Sequence, residues 1–496
     1  METLQKQFEL YVRHHKTEKK AVLPKEDILG DFREHRKIPC GWSIIEFKPY
    51  ASVADNSQFW QEELITSTAG QPLWRTKQKF RYMVKNWIGA DGVRANESID
   101  QQIARMKTCI ADMPDELKAW QNRLLFDSRD EMHTVKKVAD TTEIPDIMKY
   151  IITSIHGTPG SGKSTMIINL LKKLGNEYKI LIVAPSHNVI NNFGHRINEI
   201  KPPLDYVILS EESRLDPELM QRHVSNHRDY NPNKKNALIE ATQITLSTVN
   251  KNIKNVRRAK IDIVICDEAG RVPVIDFATL IQKMSEVKSI ILAGDPKQMP
   301  ARIGDSETDD ILRFVEKKKI GPIWSLFRQY RFGKQTNDII AQAYYNGQME
   351  AARKERTSRI FGIGIKGCEC IDEPIGCQRE AFIVHQITNL LKKTNQGDIL
   401  ILTPYKAQFE ILGTDKCDRI QIKTIDTCQG DEASTVIISL GRHKGQGFIN
   451  GNRMNVSLSR AKGLTFLIGH NKVLNACKAL DKVVPEIKRL GQFYEV

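Results

Sequence analysis

A strand, loop and helix in succession from Tyr150 to Leu174 limit most sharply what this chain can become. Tyr150-Ile151-Ile152-Thr153-Ser154-Ile155 is apolar and β-branched. Gly157-Thr158-Pro159-Gly160-Ser161-Gly162-Lys163-Ser164-Thr165 fits G-x-x-x-x-G-K-[ST], and Met166 to Leu174 carries apolar residues at helical spacing. The glycines let successive backbone N–H groups turn toward one anion, and the helix N-terminus adds its partial positive charge. The pattern predicts a phosphate cradle built into a parallel α/β sheet. Lys163 is placed to reach β- and γ-phosphates, and the Ser164 hydroxyl to take a place on Mg²⁺. The loop alone leaves open what the phosphate energy drives.

At 496 residues the chain exceeds what one core usually holds, so two to four domains are expected. An excess of 74 Lys+Arg over 60 Asp+Glu gives a net charge of +14, which favours a polyanionic partner such as nucleic acid. The nine cysteines are scattered and include no C-x-x-C pair, so they read as reduced thiols; the closest cluster is Cys368, Cys370 and Cys377. Met1 to Lys6 lacks the layout of a signal peptide, and no apolar run approaches bilayer length, so a soluble intracellular protein (cytoplasm or nucleus) is expected.

Three regions follow from the pattern. Residues 1–145 form a mixed α/β accessory region, with a strand-like Trp42 to Phe47 and amphipathic helical spacing from Ile99 to Phe126. Its aromatics Trp60, Trp74, Phe80, Tyr82 and Trp87 alternate with Arg75, Lys77, Lys79, Arg81 and Lys85. Two readings are open: a core with a solvated charged face, or a surface that stacks on a single strand. Residues 146–325 alternate strands and helices, with strands at Lys179 to Val183, Val207 to Leu209, Ile244 to Leu246, Ile261 to Cys266 and Ser289 to Leu292. A Pro- and charge-rich stretch at about 201–241 reads as an insertion. Residues 326–496 give a second series at Asp398 to Leu402, Gln421 to Ile425, Val436 to Leu440 and Leu464 to Gly469.

A second phosphate-site element is Ile263-Val264-Ile265-Cys266-Asp267-Glu268. Asp267 at the strand's end can hold Mg²⁺, and Glu268 can orient and deprotonate water. Further on, Leu292-Ala293-Gly294-Asp295-Pro296-Lys297-Gln298 brings another strand into a polar turn. The Gln298 amide both donates and accepts, as a sensor of the γ-phosphate or its attacking water must.

Leu326-Phe327-Arg328-Gln329-Tyr330-Arg331, followed by Tyr344-Tyr345-Asn346-Gly347, resembles the L-x-x-Q-Y-R and F-Y-x-G blocks of superfamily 1 helicases related to the nonsense-mediated-decay, Dna2-type and Senataxin-type enzymes. Thr403-Pro404-Tyr405-Lys406-Ala407-Gln408, Ile425-Asp426-Thr427-Cys428-Gln429-Gly430-Asp431-Glu432 and Asn455-Val456-Ser457-Leu458-Ser459-Arg460-Ala461-Lys462 resemble their later blocks, in family order. The resemblance implies two tandem RecA-like P-loop domains with parallel sheets, and ATP and Mg²⁺ as cofactors. It makes Arg331 and Arg460 arginine fingers from the second domain, places Glu432 on the ribose and counts Tyr330 with the nucleotide contacts. It also implies single-stranded RNA or DNA lying over Pro185, Ser186, His187, Ser247, Thr248, Thr403, Pro404, Tyr405 and Thr427, and 5′ to 3′ movement along it by a monomer.

Departures from the family pattern are specific. Val138 to His156 holds no glutamine, Arg271 stands where this branch usually has glutamine, and Phe332-Gly333-Lys334 replaces Met-His-Pro. The Cys/His-rich N-terminal module of several relatives has no counterpart. Such losses suggest a divergent, compact member, for which a viral or mobile-element origin would fit. An ATP-gated clamp or ribonucleoprotein remodeller, with protein partners on the N-terminal region, is the alternative to a helicase. A small-molecule kinase fits poorly with a second α/β domain carrying its own arginines.

Overall fold

The computed structural model describes residues 42–47, 64–65, 80–85 and, apart from gaps of which 223–238 and 250–259 are the longest, residues 134–496. The helical spacing of Ile99 to Phe126, the aromatics Trp60, Trp74 and Trp87, and Cys368 and Cys370 lie outside the described residues. By internal contacts the chain divides into one unit of residues 1–118 with 302–308, and another of 119–301 with 309–496. In the first, β1 (Trp42–Phe47), β2 (Leu64–Ile65) and β3 (Phe80–Lys85) form an antiparallel sheet in the order β2-β1-β3, with Trp42 opposite Lys85 and Phe47 opposite Phe80.

The second unit holds two parallel sheets. Its first is built from β4 (Val135–Val138), β5 (Ile152–Gly157), β6 (Ile180–Ala184), β7 (Tyr206–Leu209), β8 (Ile244–Thr248), β9 (Ile263–Cys266) and β10 (Ser289–Gly294). Beyond the short strands β11 (Ala301–Ile303) and β12 (Ser306–Thr308) comes its last member, β13 (Ile323–Leu326). The order is β4-β13-β5-β10-β9-β6-β8-β7, and every pairing is parallel. Every residue of β5 to β10 is buried, as parallel strands covered on both faces require. The helix Lys163–Leu174 buries Met166, Ile167, Leu170, Leu171 and Leu174 against this sheet's core. Within the stretch read as an insertion, Tyr206–Leu209 is the sheet's edge strand, and Leu219 packs where a Cβ on Gly194 would come within 2.8 Å.

After the short pair β14 (Arg328–Gln329) and β15 (Glu350–Ala351), the second sheet comprises β16 (Arg359–Ile365), β17 (Ile399–Thr403), β18 (Ile420–Thr424), β19 (Ala433–Ser439), β20 (Ala461–His470) and β21 (Phe493–Glu495). Their order is β18-β17-β19-β20-β16-β21, again all parallel. These two sheets are the tandem RecA-like arrangement that the motif order implies. The alternation of apolar runs misses β16, and its glycines show why. A Cβ on Gly362 would sit 2.5 Å from Phe493, and one on Gly364 1.8 Å from Asn471, so close packing rather than strand propensity selects them. No helix among the described residues is long and apolar enough to cross a membrane.

Two features of the packing are measurable. Gly321 enters β13 at φ +65°, where a Cβ would lie 2.1 Å from the Ile152 carbonyl oxygen. Gly321→Ala is expected to lower stability by roughly 2–4 kcal/mol, read as a fall in the thermal midpoint, because neither backbone can give way. In the second sheet, fully buried Glu380 accepts from the Ser439 hydroxyl (2.7 Å) and the Gly441 N–H (2.7 Å), and burial pushes its carboxyl up to about 8. The folded state therefore favours the protonated form. The stability this group contributes is complete below its unfolded value near 4.5 and is lost as pH rises through about 8. Glu380→Gln should gain on wild type by roughly 3 °C or more in thermal midpoint between pH 5 and 9, and a difference independent of pH would contradict this assignment.

Candidate functional site

The phosphate loop leaves β5 at Gly157 and enters its helix at Lys163. Gly160 and Gly162 have φ of +70° and +89°, and a Cβ on Gly157 would lie 2.4 Å from Ser161 Oγ. Lys163 Nζ donates to the Gly157 carbonyl (2.7 Å), and burial lowers the ammonium below its usual range. The Thr158 and Ser161 hydroxyls are buried without hydrogen-bond partners, which fits a loop whose polar groups are completed by an anion. The Ser164 hydroxyl donates to Asp267 Oδ2 (3.3 Å). A hydroxyl and a carboxylate brought together in this way can share a hard divalent cation, so the residues present fit Mg²⁺.

Asp267, at the end of β9, is 3% exposed. Burial, then the neighbouring Glu268 charge, raises its carboxyl to about 6. Glu268 takes a left-handed backbone conformation (φ 54°, ψ 36°), an arrangement costing on the order of 1–3 kcal/mol that clusters at functional sites.

From the other side comes the segment after β13. The Tyr330 N–H donates to the Gly160 carbonyl (2.9 Å), and a Cβ on Gly160 would stand 2.7 Å from Arg331 Cβ. Gln329 shapes the turn, its Oε1 accepting the N–H groups of Arg331 (2.8 Å) and Phe332 (3.1 Å). Arg331 donates to the Ser459 carbonyl (2.7 Å) and pairs with Glu432; burial lowers its guanidinium to about 10. Burial works against the Glu432 charge, but Arg331 and Lys462 hold that carboxyl below its ordinary value. Arg460 Nη2 donates to Gln298 Oε1 (3.3 Å).

These groups surround one cavity of about 690 Å³, lined by residues 159–165 of the loop and by Asp267, Glu268, Gln298, Tyr330, Arg331, Glu432 and Arg460. The structure thus brings together, from both sheets, the residues expected at the nucleotide. Several partners were not singled out from sequence. Asp295 Oδ2 accepts from Gln298 Nε2 (3.0 Å) and from the Tyr345 hydroxyl (2.6 Å), while Asn455 Nδ2 donates to that hydroxyl (2.7 Å) and to the Lys297 carbonyl (3.0 Å). Burial and the Asp295 charge push the Tyr345 phenol well above its usual range. Arg196 donates to Thr165 Oγ1 (2.7 Å) and lines the cavity, as do Arg271 and Arg353. Asp295, Tyr345 and Asn455 lie inside recognisable blocks, yet nothing in their order says that they meet; Arg196 carries no motif signal.

The residues expected along a nucleic-acid strand do not line this cavity. Ser247, Thr248 and Thr403 close β8 and β17 as buried residues, while the flanking Pro185, Ser186, His187 and Pro404 are partly exposed. His187 Nδ1 lies 2.6 Å from Ser210 Oγ, and Thr427 is exposed just beyond β18. Tyr405 is only 5% exposed, and its hydroxyl accepts from Arg442 Nη1 (3.2 Å) and the Phe448 N–H (3.1 Å). Its ring and hydroxyl thus support the loop that carries Phe448. Among the described residues, no group of His, Cys, Asp and Glu side chains is clustered as a metal site of its own.

Comparison with known proteins agrees with this geometry. Two models of the description AAA domain match residues 142–303 and 311–472. The chain is 21% identical over 407 residues to the DNA replication ATP-dependent helicase/nuclease dna2 of Schizosaccharomyces pombe, covering 68% of this chain and 28% of that protein. It is 27% identical over 279 residues to the probable helicase MAGATAMA 3 of Arabidopsis thaliana, covering 47% and 33%. A solved arterivirus nonstructural protein 10 (helicase) with DNA aligns with 66% of this chain and 63% of its own, at 15% identity and a TM-score of 0.41. The chain spans about a third of the length of the curated relatives it matches. With a phosphate loop, an Asp-Glu strand end and two arginines gathered at one cavity across tandem AAA-domain matches, the chain is similar to superfamily 1 helicases over about two thirds of its length.

Proposed function

We propose that this protein is an ATP-dependent helicase or translocase that moves 5′ to 3′ on single-stranded RNA or DNA. The observation that carries the reading is that Arg331 and Arg460, from beyond the first sheet, line the same cavity as Lys163, Ser164 and Asp267. A site divided in this way is made and unmade as two domains move, which ties turnover to motion. In this reading residues 1–145 are an accessory region, and 146–325 and 326–496 are the two domains that move.

Lys163 and the loop N–H groups would hold phosphate oxygens, while Ser164 and Asp267 would hold Mg²⁺, which when bound neutralises charge on those oxygens. Glu268 orients a water and takes its proton, and Gln298 positions that water by donating and accepting. Arg331 leaves Glu432 to meet charge developing on the phosphoryl oxygens, which frees Glu432 for a ribose hydroxyl; Arg460 acts from beside Gln298. An arginine in this role is worth about 10³–10⁵ in rate in related NTPases. A second reading, an ATP-gated clamp that grips a strand without displacing its complement, keeps the same residues.

Wild type should hydrolyse ATP faster when single strand is added, at fixed salt, and Lys163→Ala or Glu268→Gln should lose turnover by at least about 100-fold. Turnover indifferent to every strand would overturn the reading. Turnover without duplex displacement would favour the clamp. Tyr345→Phe removes the hydroxyl that joins Asp295 to Asn455 and so loosens Gln298 against Arg460. The expected outcome is a fall of about tenfold in kcat at saturating strand, with the KM for ATP within about twofold of wild type, read from steady-state kinetics.

A further inference from the structure

The loop that follows β19 holds one large aromatic side chain in solvent. Phe448 is 52% exposed, although burying such a ring stabilises a fold by roughly 1.5–3 kcal/mol. Its position is held on several sides. The Phe448 N–H donates to the Tyr405 hydroxyl (3.1 Å), and the Tyr405 ring stands edge-on to it at 5.8 Å. Gly447, at φ +50°, allows that approach, since a Cβ there would lie 2.3 Å from the Tyr405 hydroxyl and 2.2 Å from Arg442. The Arg453 guanidinium lies 5.4 Å from the Phe448 ring centroid and is itself fixed by Asp426 through two bonds of 2.8 and 3.1 Å.

The surroundings name the occupant. Asp426, the carboxylate that frames this loop through Arg453, is neutralised by it, and Arg442 adds a cation against Tyr405. Thr427 follows Asp426 at the surface, and Pro404 precedes Tyr405, so the ring is continuous with the elements expected to carry the strand. A rigid aromatic beside cations meets the two needs of sequence-tolerant single-strand binding: a π-face for a base and positive charge for its phosphate.

We infer that Phe448 is a base-stacking platform for single-stranded nucleic acid, oriented by Tyr405 and Arg453, a subsite that rests on the proposed helicase or translocase function. RNA and DNA share the chemistry it recognises, since both present a nucleobase face. Tyr405 then acts through Phe448 as a positioning residue.

The test is equilibrium binding of the whole chain to fluorescein-labelled single strands of mixed sequence, one RNA and one DNA, across a salt series. Phe448→Ala and Phe448→Leu should each weaken binding about 5- to 100-fold, while Phe448→Trp stays within about threefold of wild type. Leucine keeps the apolar bulk without a stacking face, so equal losses in both variants, with an unchanged thermal midpoint, separate stacking from packing. The slope of log Kd against log salt should stay the same, because no phosphate contact is removed. A wild type that binds while Phe448→Leu binds equally well overturns this inference alone and leaves the ring as a surface for a protein partner. A wild type that binds neither strand overturns the functional reading along with it.

Discussion

One backbone hydrogen bond, from the Tyr330 N–H to the Gly160 carbonyl, holds the site together. It seats the segment carrying Arg331 on the phosphate loop at a distance where residue 160 can have no side chain, and it does so at a φ that glycine adopts without cost. Gln329 then wraps its amide around the next turn, so Arg331 leaves the backbone in a fixed direction. The glycines of the loop therefore serve two ends, curling its N–H groups toward an anion and letting a second segment close over them.

Burial of its charged side chains sets the electrostatics of the site. Burial lowers Lys163 and Arg331 and raises Asp267, all away from their charged forms. Carboxylates nearby work against the shift of Lys163, and Glu432 against that of Arg331, whereas the Glu268 charge adds to that of Asp267, so a polyanion with a divalent cation would complete the balance. Arg331 and Glu432 form an ion pair within the site. The bridge through Asp295, Tyr345 and Asn455 runs alongside, joining the turn after β10 to the helix Gly451–Leu458 with every polar group fully buried or nearly so. A buried network of this kind has few alternative arrangements, which suits it to transmit a change in one domain to the other.

The strand ends that do not line the cavity follow different rules. There Ser247, Thr248 and Thr403 are buried and finish their strands, and the surface is left to the flanking prolines, Ser186, His187 and the loop held by Tyr405. In the proposed function a strand lying there would be held without its bases being read, and an exposed ring such as Phe448 would meet a base of any sequence.

How much could be read in advance follows from the range of the forces involved. The phosphate loop, the Asp-Glu strand end and most strands of both sheets were legible because they depend on local rules: apolar runs where a parallel strand is covered on both faces, glycine where φ is positive, a charged pair at a strand's end. β16 was not legible, because Gly362 and Gly364 are chosen by Phe493 and Asn471, residues more than a hundred positions away. The burial of Tyr405 was not legible for the same reason: whether an aromatic is exposed depends on what the distant loop at Gly447 and Phe448 does. By itself, the sequence determined that this chain would build two parallel α/β sheets around a phosphate site. Only the tertiary structure decided which side chains complete that site, since Asp295 and Gln298, after a strand of the first sheet, meet Tyr345 and Arg460, from the second half, only when the two sheets pack.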